Sequence, residues 1–456
     1  MTDELEYRLA MAGRNGYLRH LRYRPRVSEV VWEDSGEPVS LAAIGMDYAR
    51  AERAWPTAFA VSPDNPASKS RAVRVLKIQM GLKCNYACAY CNQASQPHEI
   101  EGNLGDVEAF LGNLPSWFEG DDGKGLRIEF WGGEPFVYWK ALRALGDNLR
   151  AAYPAAEFNI ITNGSLIDDE KINWLDRLLG FHIGISHDGP GHATSRGPDP
   201  LDDPVRCMAI RKLYDRLFPK GNIGFNCVVT RDFRSLVAIR EHIGNRLGIA
   251  PGDVPLCTEE LLLPYDLDGL GLSPGKADEH DAILQDVWWE AVTDRSMSVT
   301  TIRRKCEDFF RSLSQGRPAS TLGQKCGMDR PDNIAVDLKG NVMTCQNTSA
   351  GTRHRIGHVD DFENIHLATA HHWSTRTECV NCPVVQLCKG ACFFLEDDLW
   401  RQACDNSFTW NLAMLAVSLY GLTRLVLVEI DGPVLRRPDL PQKSSVIRQP
   451  VEQAAA

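Results

Sequence analysis

Cys84-Asn85-Tyr86-Ala87-Cys88-Ala89-Tyr90-Cys91 is the stretch from which the rest of the chain is read. It follows an apolar, strand-like run from Val73 to Met80 and precedes a polar segment with no proline until Pro97. Three thiols within eight residues, spaced four and three apart, can bend round one compact inorganic centre. A [4Fe–4S] cluster held by three thiolates keeps one iron without a protein ligand, free to bind a substrate or cofactor. A zinc knuckle, or three unrelated thiols, is the other reading of the same spacing.

The C-x3-C-x2-C spacing, with Tyr90 as the aromatic residue before the last Cys, resembles the signature of the radical S-adenosylmethionine (SAM) enzymes. The resemblance implies that the open iron chelates the amino and carboxylate groups of SAM. Reduction then cleaves SAM to a 5′-deoxyadenosyl radical, which takes hydrogen from the substrate.

With 456 residues the chain has room for two or three domains and a substantial core. A formal charge of −10 speaks against a nucleic-acid backbone as partner, because such binding draws on clustered Lys and Arg. The short basic run from Arg19 to Arg26 reads as a solvated face. No apolar signal segment follows Met1, and fourteen Cys in a reducing, cytoplasmic setting point to metal rather than disulfides. Phe408 to Ile430 is long enough for a membrane span, but it contains Asn411, Ser418, Thr423 and Arg424 and lacks a basic N-terminal flank. It reads as a buried helix or subunit contact, and no membrane partner is expected.

From Val73 onward, short apolar runs alternate with amphipathic stretches. Expected strands are Val73–Met80, Arg127–Trp131, Glu157–Thr162, His182–His187, Ile223–Val229 and a weak one at Val254–Leu256. Expected helices are Val107–Phe118, Trp139–Ala152, Asp168–Leu179, Pro204–Phe218 and Ser235–Leu247. Such β/α units give parallel strands joined by right-handed crossovers, an α/β fold. The resemblance implies a partial (β/α)6 radical SAM barrel over residues 71–264. Residues 1–70 are an extension of unclear fold, with a hairpin expected around Ser35-Gly36 and a short helix at Tyr48–Trp55. A cap on the barrel or a winged-helix module gripping a leader peptide would account for it. Residues 265–325 read as a helical bridge with turns at Asp266–Gly269 and helices at Ala277–Thr293 and Thr301–Leu313, and residues 405–456 as a helix and tail.

Further motifs fall at expected strand ends, where ligands bind in such sheets. Gly132-Gly133-Glu134-Pro135 combines glycines that let backbone approach a ligand with a carboxylate able to accept from an ammonium. It resembles the family's GGEP motif, which receives the SAM amino group. Asn163 in Thr162-Asn163-Gly164 and Ser186 in Ser186-His187-Asp188-Gly189-Pro190 sit in family-like turns, and Ser186 would hydrogen-bond SAM. Arg196 would pair with the SAM carboxylate, although Ala193 stands where the family's H-D-x-x-R has Asp. Asn226 and Val228 would lie near the ribose and adenine, with Cys227 between them facing away. His187 is either local packing or an imidazole near substrate.

A second Cys group is more specific. Cys326 and Cys345 flank an expected tight hairpin at Asp337–Gly340, and Cys379, Cys382, Cys388, Cys392 and Cys404 follow. The seven resemble the SPASM domain, placed at 326–404, which carries two auxiliary [4Fe–4S] clusters. Zinc is the rival, though seven sulfurs fit two four-thiolate sites poorly. The resemblance gives Cys326, Cys345 and Cys392 to the nearer cluster and Cys379, Cys382, Cys388 and Cys404 to the farther one. Cys306 is the candidate fourth ligand of the nearer cluster; the alternative is an iron open to substrate.

SPASM enzymes act mostly on peptides, so the expected activity is that of a maturase that crosslinks or oxidises a residue of a ribosomally made precursor peptide. Its electrons would come from a donor such as flavodoxin or ferredoxin. The alternatives are a sulfatase-maturing, formylglycine-generating enzyme and a small-molecule radical dehydrogenase. Gln346, directly after Cys345, replaces the Asp that serves as proton acceptor in sulfatase maturases, and no general base is identified.

Overall fold

The computed structural model describes residues 5–448 except 14–15, 50–53, 98–100, 120–122, 179–180, 294 and 433–442. Six parallel strands lie side by side in sequence order: Val75–Gln79, Arg127–Trp131, Glu157–Thr162, Phe181–Ser186, Ile223–Val229 and Leu256–Leu261. Helices Leu104–Trp117, Trp139–Ala152, Asp169–Arg177, Pro204–Leu217 and Leu236–Leu247 connect them. The alternation that marks each strand in sequence is what packs it. Phe130, Phe158 and Phe181 stack at 6.1–6.2 Å between ring centroids, and Trp174 of the third helix meets Phe181 at 5.4 Å. That aromatic layer seals the helix side of the sheet. The alternate residues, Lys77 and Glu129 among them, form cross-strand pairs on the other face.

The sheet does not stop at its first strand. Asn333–Asp337 pairs in parallel with Val75–Gln79, and the hairpin partner Asn341–Met343 and then Arg355–His358 extend it to nine strands. The expected turn at Asp337–Gly340 is therefore present and built onto the barrel edge. Asp337 holds it by accepting from the backbone N–H groups of Lys339 and Asn341.

The N-terminal region is an antiparallel sheet. Tyr7–Ala12 pairs with Leu18–Arg24 on one side and with the C-terminal strand Val426–Asp431 on the other, which joins the two ends of the chain. It covers the Cys-rich segment rather than the barrel: the Arg26 guanidinium donates to Asn381 Oδ1, and Gln386 Nε2 donates to Pro25 O. No α-helix occurs among the described residues between 5 and 70. Tyr48, Ala49, Ala54 and Trp55 are irregular, and the middle of the helix expected there lies outside the described residues. A tight turn does fall at 33–37, where Trp32 N donates to Glu37 O.

Other boundaries differ from expectation: the last barrel strand runs Leu256–Leu261 rather than Val254–Leu256, the fourth runs Phe181–Ser186 rather than His182–His187, and the first helix begins at Leu104, capped by Asn103, rather than at Val107. Leu267–Leu272 is a short helix, started by Asp266 accepting from Gly269 N, where only a turn was expected. The apolar stretch after Phe408 belongs to a helix, Asp397–Thr423, that ends at Arg424 in the left-handed conformation (φ 57°); a strand follows. Two of its buried amides are paired in the core, Asn406 Nδ2 donating to Leu262 O and Asn411 Oδ1 accepting from Lys305 Nζ. Among the described residues no helix is long and apolar enough to cross a membrane.

Phe158 is 1% exposed at the centre of the aromatic layer. Phe158→Ala should cost about 3–5 kcal/mol of unfolding free energy, read as a lower urea midpoint with an unchanged slope.

Candidate functional site

The Cys84–Cys91 loop sits at the C-terminal end of the first barrel strand and is fastened on every side. Gly133 N donates to Gly81 O and Glu134 N to Lys83 O, so the Gly-Gly-Glu-Pro turn lies flat on the backbone that leads into the loop. A Cβ on Gly133 would fall 2.3 Å from Lys83 O, and one on Gly132 2.6 Å from Gly81 O. The glycines are thus demanded by contact between two backbone segments. Asn163 Nδ2 donates to Asn85 Oδ1 at 2.9 Å and lies 4.0 Å from Cys84 Sγ, while Ala89 N donates to Ser195 O.

Cys84 is exposed and Cys88 and Cys91 are half-buried. Burial pushes the Cys88 thiol up to about 12; Arg196 opposes the shift, and the neighbouring Cys91 and Cys84 add to it. Three soft donors on one short loop, each able to exchange its proton for a metal, fit an iron–sulfur centre.

Two carboxylates flank the loop, and both are already engaged. Glu134 is buried and accepts from Phe136 N, Thr162 Oγ1 and Asn163 N at 2.7–3.0 Å. Burial raises its pKa against those three donors. The sequence reading offered this carboxylate to an ammonium; in the structure it locks the second strand end to the third. Asp188 accepts from Tyr90 Oη (2.5 Å), Ser195 Oγ (2.7 Å), Val228 N (3.0 Å) and Arg196 Nε (3.0 Å). Burial alone would raise its pKa, but Arg196 and the hydroxyl donors hold it below the usual carboxylate value. Arg196, expected to face a ligand carboxylate, is thus paired with Asp188. Ser186 and Asn226 are register partners on neighbouring strands, and Tyr90, Val228 and Leu262 form a small apolar cluster beside them. Cys227 is fully buried, as its alternation predicted.

His187 proves to be packing. Its Nδ1 accepts from Gly189 N at 3.0 Å, so Nε2 carries the proton and donates to Asp199 Oδ1 at 2.9 Å. His242 reaches the other oxygen of Asp199 at 3.2 Å. These three could surround a metal ion, but the Gly189 N–H occupies the lone pair that a metal-bound tautomer would need as N–H. They form a clamp behind Asp188.

The second Cys group divides in two. Cys345 is acted on by Cys392 and Cys326, and Cys379 by Cys404, Cys388 and Cys382. Cys306 belongs to neither set: it is buried on helix Thr300–Gln315 and bonds the Ser418 hydroxyl. Tyr265, which sequence reasoning missed, bonds Cys392 instead. Also missed is the Lys77–Glu129 pair at 3.2 Å, with Trp131 Nε1 donating to Glu129 at 3.0 Å. Only a paired strand register brings those three together.

His192 packs 4.3 Å from the His187 ring, is fully buried, and has no hydrogen-bond partner on either nitrogen. Burial first, then His187 and Arg196, push its pKa down to about 3. Unfolded, it would titrate near 6.5. Its contribution to stability is therefore complete above about 6.5 and is lost as the pH falls toward 3, by at most about 1.4 kcal/mol per pH unit. Urea midpoints measured from pH 7 to 4 should decline, and His192→Phe should make that decline shallower.

No protein-family model matches the chain. A curated relative, the radical SAM cyclopropyl synthase TigE of Paramaledivibacter caminithermalis, is 20% identical over 362 residues, covering 72% of this chain and 69% of the relative. Among solved structures, native anSMEcpe with bound AdoMet and Kp18Cys peptide superposes with a TM-score of 0.54 at 20% identity, over 76% of this chain and 99% of that one. The same protein with Cp18Cys peptide gives 0.53 at 19% identity, over 76% and 98%. At these identities the structures establish a common fold. The thiol trio thus lies at the mouth of a fold shared with those AdoMet-bound structures, in a chain aligned over most of its length with a radical SAM enzyme.

Proposed function

We propose that the chain is a peptide maturase: it reductively cleaves SAM and takes hydrogen from a residue of a ribosomally made precursor, leaving a crosslink or an oxidised side chain. The observation that carries this reading is the thiol loop held at the strand mouth by the Gly133–Gly81 and Asp188–Tyr90 contacts. Cys84, Cys88 and Cys91 would hold the SAM-binding [4Fe–4S] centre. Ser186, Asn226 and the Tyr90–Val228–Leu262 cluster would border SAM, whose planar base suits an apolar wall. A centre and SAM held by these residues would supply radical chemistry for hydrogen abstraction from the substrate. Asp188 acts by orientation, because it fixes Tyr90 and Arg196 relative to the loop.

Cys326, Cys345 and Cys392 would hold a nearer auxiliary [4Fe–4S] centre and Cys379, Cys382, Cys388 and Cys404 a farther one. Cys306, whose thiol is engaged by Ser418, stands apart from the nearer group, whereas Tyr265 bonds Cys392 of that group. Glu129, kept in place by Lys77 and Trp131, is the carboxylate on the open face of the sheet suited to take a substrate proton when a new bond forms.

The bound peptides of the anSMEcpe structures and the ring-forming activity in the name of the curated relative support a peptide substrate and bond formation on such a scaffold. The sulfatase-maturing reading is weaker, since Gln346 is an amide and its main-chain oxygen is spent on Gln79 and Gln93. A precursor peptide and a one-electron donor such as flavodoxin or ferredoxin are the partners this reading requires.

Replacing Cys84, Cys88 and Cys91 together by Ala should abolish 5′-deoxyadenosine formation from SAM under anoxic reducing conditions, while the iron of the two auxiliary centres stays bound. Continued 5′-deoxyadenosine release from the triple variant would refute the assignment.

A further inference from the structure

Glu260 lies in the last barrel strand and is out of step with it. The parallel register between Leu256–Leu261 and Ile223–Val229 slips between Thr258 and Leu261, and Glu260 adopts φ +78°. A non-glycine residue in that region is strained, and a bulge of this kind re-aims one side chain. Here it turns a carboxylate inward, where Glu260 is 3% exposed. Lys305 Nζ meets one carboxylate oxygen at 2.9 Å, and Lys325 Nζ meets the other at 3.0 Å.

This trio carries one positive charge more than it balances. For stability alone an apolar cluster would serve as well, because buried ion pairs recover little of their desolvation cost. What lies next to the excess charge gives it a use. Lys305 Nζ also donates to Leu387 O at 2.9 Å and to Asn411 Oδ1 at 2.6 Å. Lys325 N donates to Lys389 O at 3.1 Å. The two lysines therefore grip the residues on either side of Cys388, and both act on its thiol. Lys305 is enclosed, with its side chain 12% exposed; Lys325 is more open at 37%, and the exposed Glu259 faces it from the same strand. Lys305 is thus the less screened of the two charges.

We propose that the Lys305–Glu260–Lys325 trio sets the reduction potential of the farther auxiliary centre, with Lys305 as the dominant positioning charge. The inference rests on the reading of Cys379, Cys382, Cys388 and Cys404 as ligands of an iron–sulfur centre. Four thiolates on such a centre leave it anionic, and an added electron makes it more so. A fixed ammonium beside one thiolate therefore favours the reduced form and raises the potential. Glu260 moderates that effect and keeps both lysines in place. Because Glu260 is part of a barrel strand, the same contact couples the barrel wall to the centre.

The experiment is an EPR-monitored potentiometric titration of the whole chain, reconstituted with iron and sulfide under anoxic conditions, with iron and sulfide counted for each variant. Cys379→Ser in the same preparation identifies the signal of the farther centre. With iron content unchanged, Lys305→Met should shift that signal to lower potential, Lys325→Met should shift it less in the same direction, and Glu260→Gln should shift it upward. Lys305→Arg should restore the wild-type value, and the other signals should not move. Opposite signs for the lysine and glutamate variants separate a charge effect from a general loosening, which would move all three the same way. Shifts of a single sign, or an unmoved potential in a fully loaded Lys305→Met, would overturn the proposal. A Cys379→Ser variant that has lost neither iron nor a signal relative to the wild-type protein would refute the four-cysteine assignment itself, and the proposal with it.

Discussion

A single buried carboxylate governs the geometry on which the site depends. Asp188 receives Tyr90 from the thiol loop, Ser195 and Arg196 from the segment after the fourth strand, and the Val228 backbone from the fifth. The four donors come from three separate parts of the chain, and each would cost free energy if left unpaired in the interior. The negative charge is tolerated there because Arg196 is beside it and the His187–Asp199–His242 clamp fixes the turn from behind. Glu134 does the corresponding job between the second and third strands. The thiol loop can present three sulfurs in a fixed arrangement because these two anchors leave its backbone little freedom.

The same economy of contacts joins the Cys-rich segment to the barrel. Asn333–Asp337 adds to the free edge of Val75–Gln79, which covers an exposed strand edge and sets Cys326 and Cys345 close to Lys77. On the far side, the sheet made from both chain ends covers the second group of cysteines, where Tyr7 bonds Asn381 O and faces Cys382. Strands near the two ends of the described chain are thus paired beside the cysteines proposed to hold the farther centre.

Much of this was legible from residue pattern. The strands Arg127–Trp131, Glu157–Thr162 and Ile223–Val229 and the helix Trp139–Ala152 appear with the bounds read from sequence, because alternation and 3.6-residue periodicity mark them directly. The later cysteines neighbour one another along the lines that the spacing suggested, Cys345 beside Cys326 and Cys392, and Cys379 beside Cys382, Cys388 and Cys404. What the pattern could not carry was non-local. Pairing of Tyr7–Ala12 with Val426–Asp431 spans nearly the whole chain. The inward turn of Glu134, the capture of Arg196 by Asp188 and the bulge that aims Glu260 depend on which groups the fold brings together, not on spacing along the sequence. Cys306 looked available because it was near in sequence; in space it faces Ser418.

The central claim is that Cys84, Cys88 and Cys91 hold an iron–sulfur centre with one open iron. EPR spectroscopy of the dithionite-reduced, anoxically purified protein, recorded before and after addition of SAM, tests it most directly. The account predicts a [4Fe–4S]+ signal whose line shape changes when SAM binds. A spectrum indifferent to SAM, or protein containing zinc without sulfide, would contradict it.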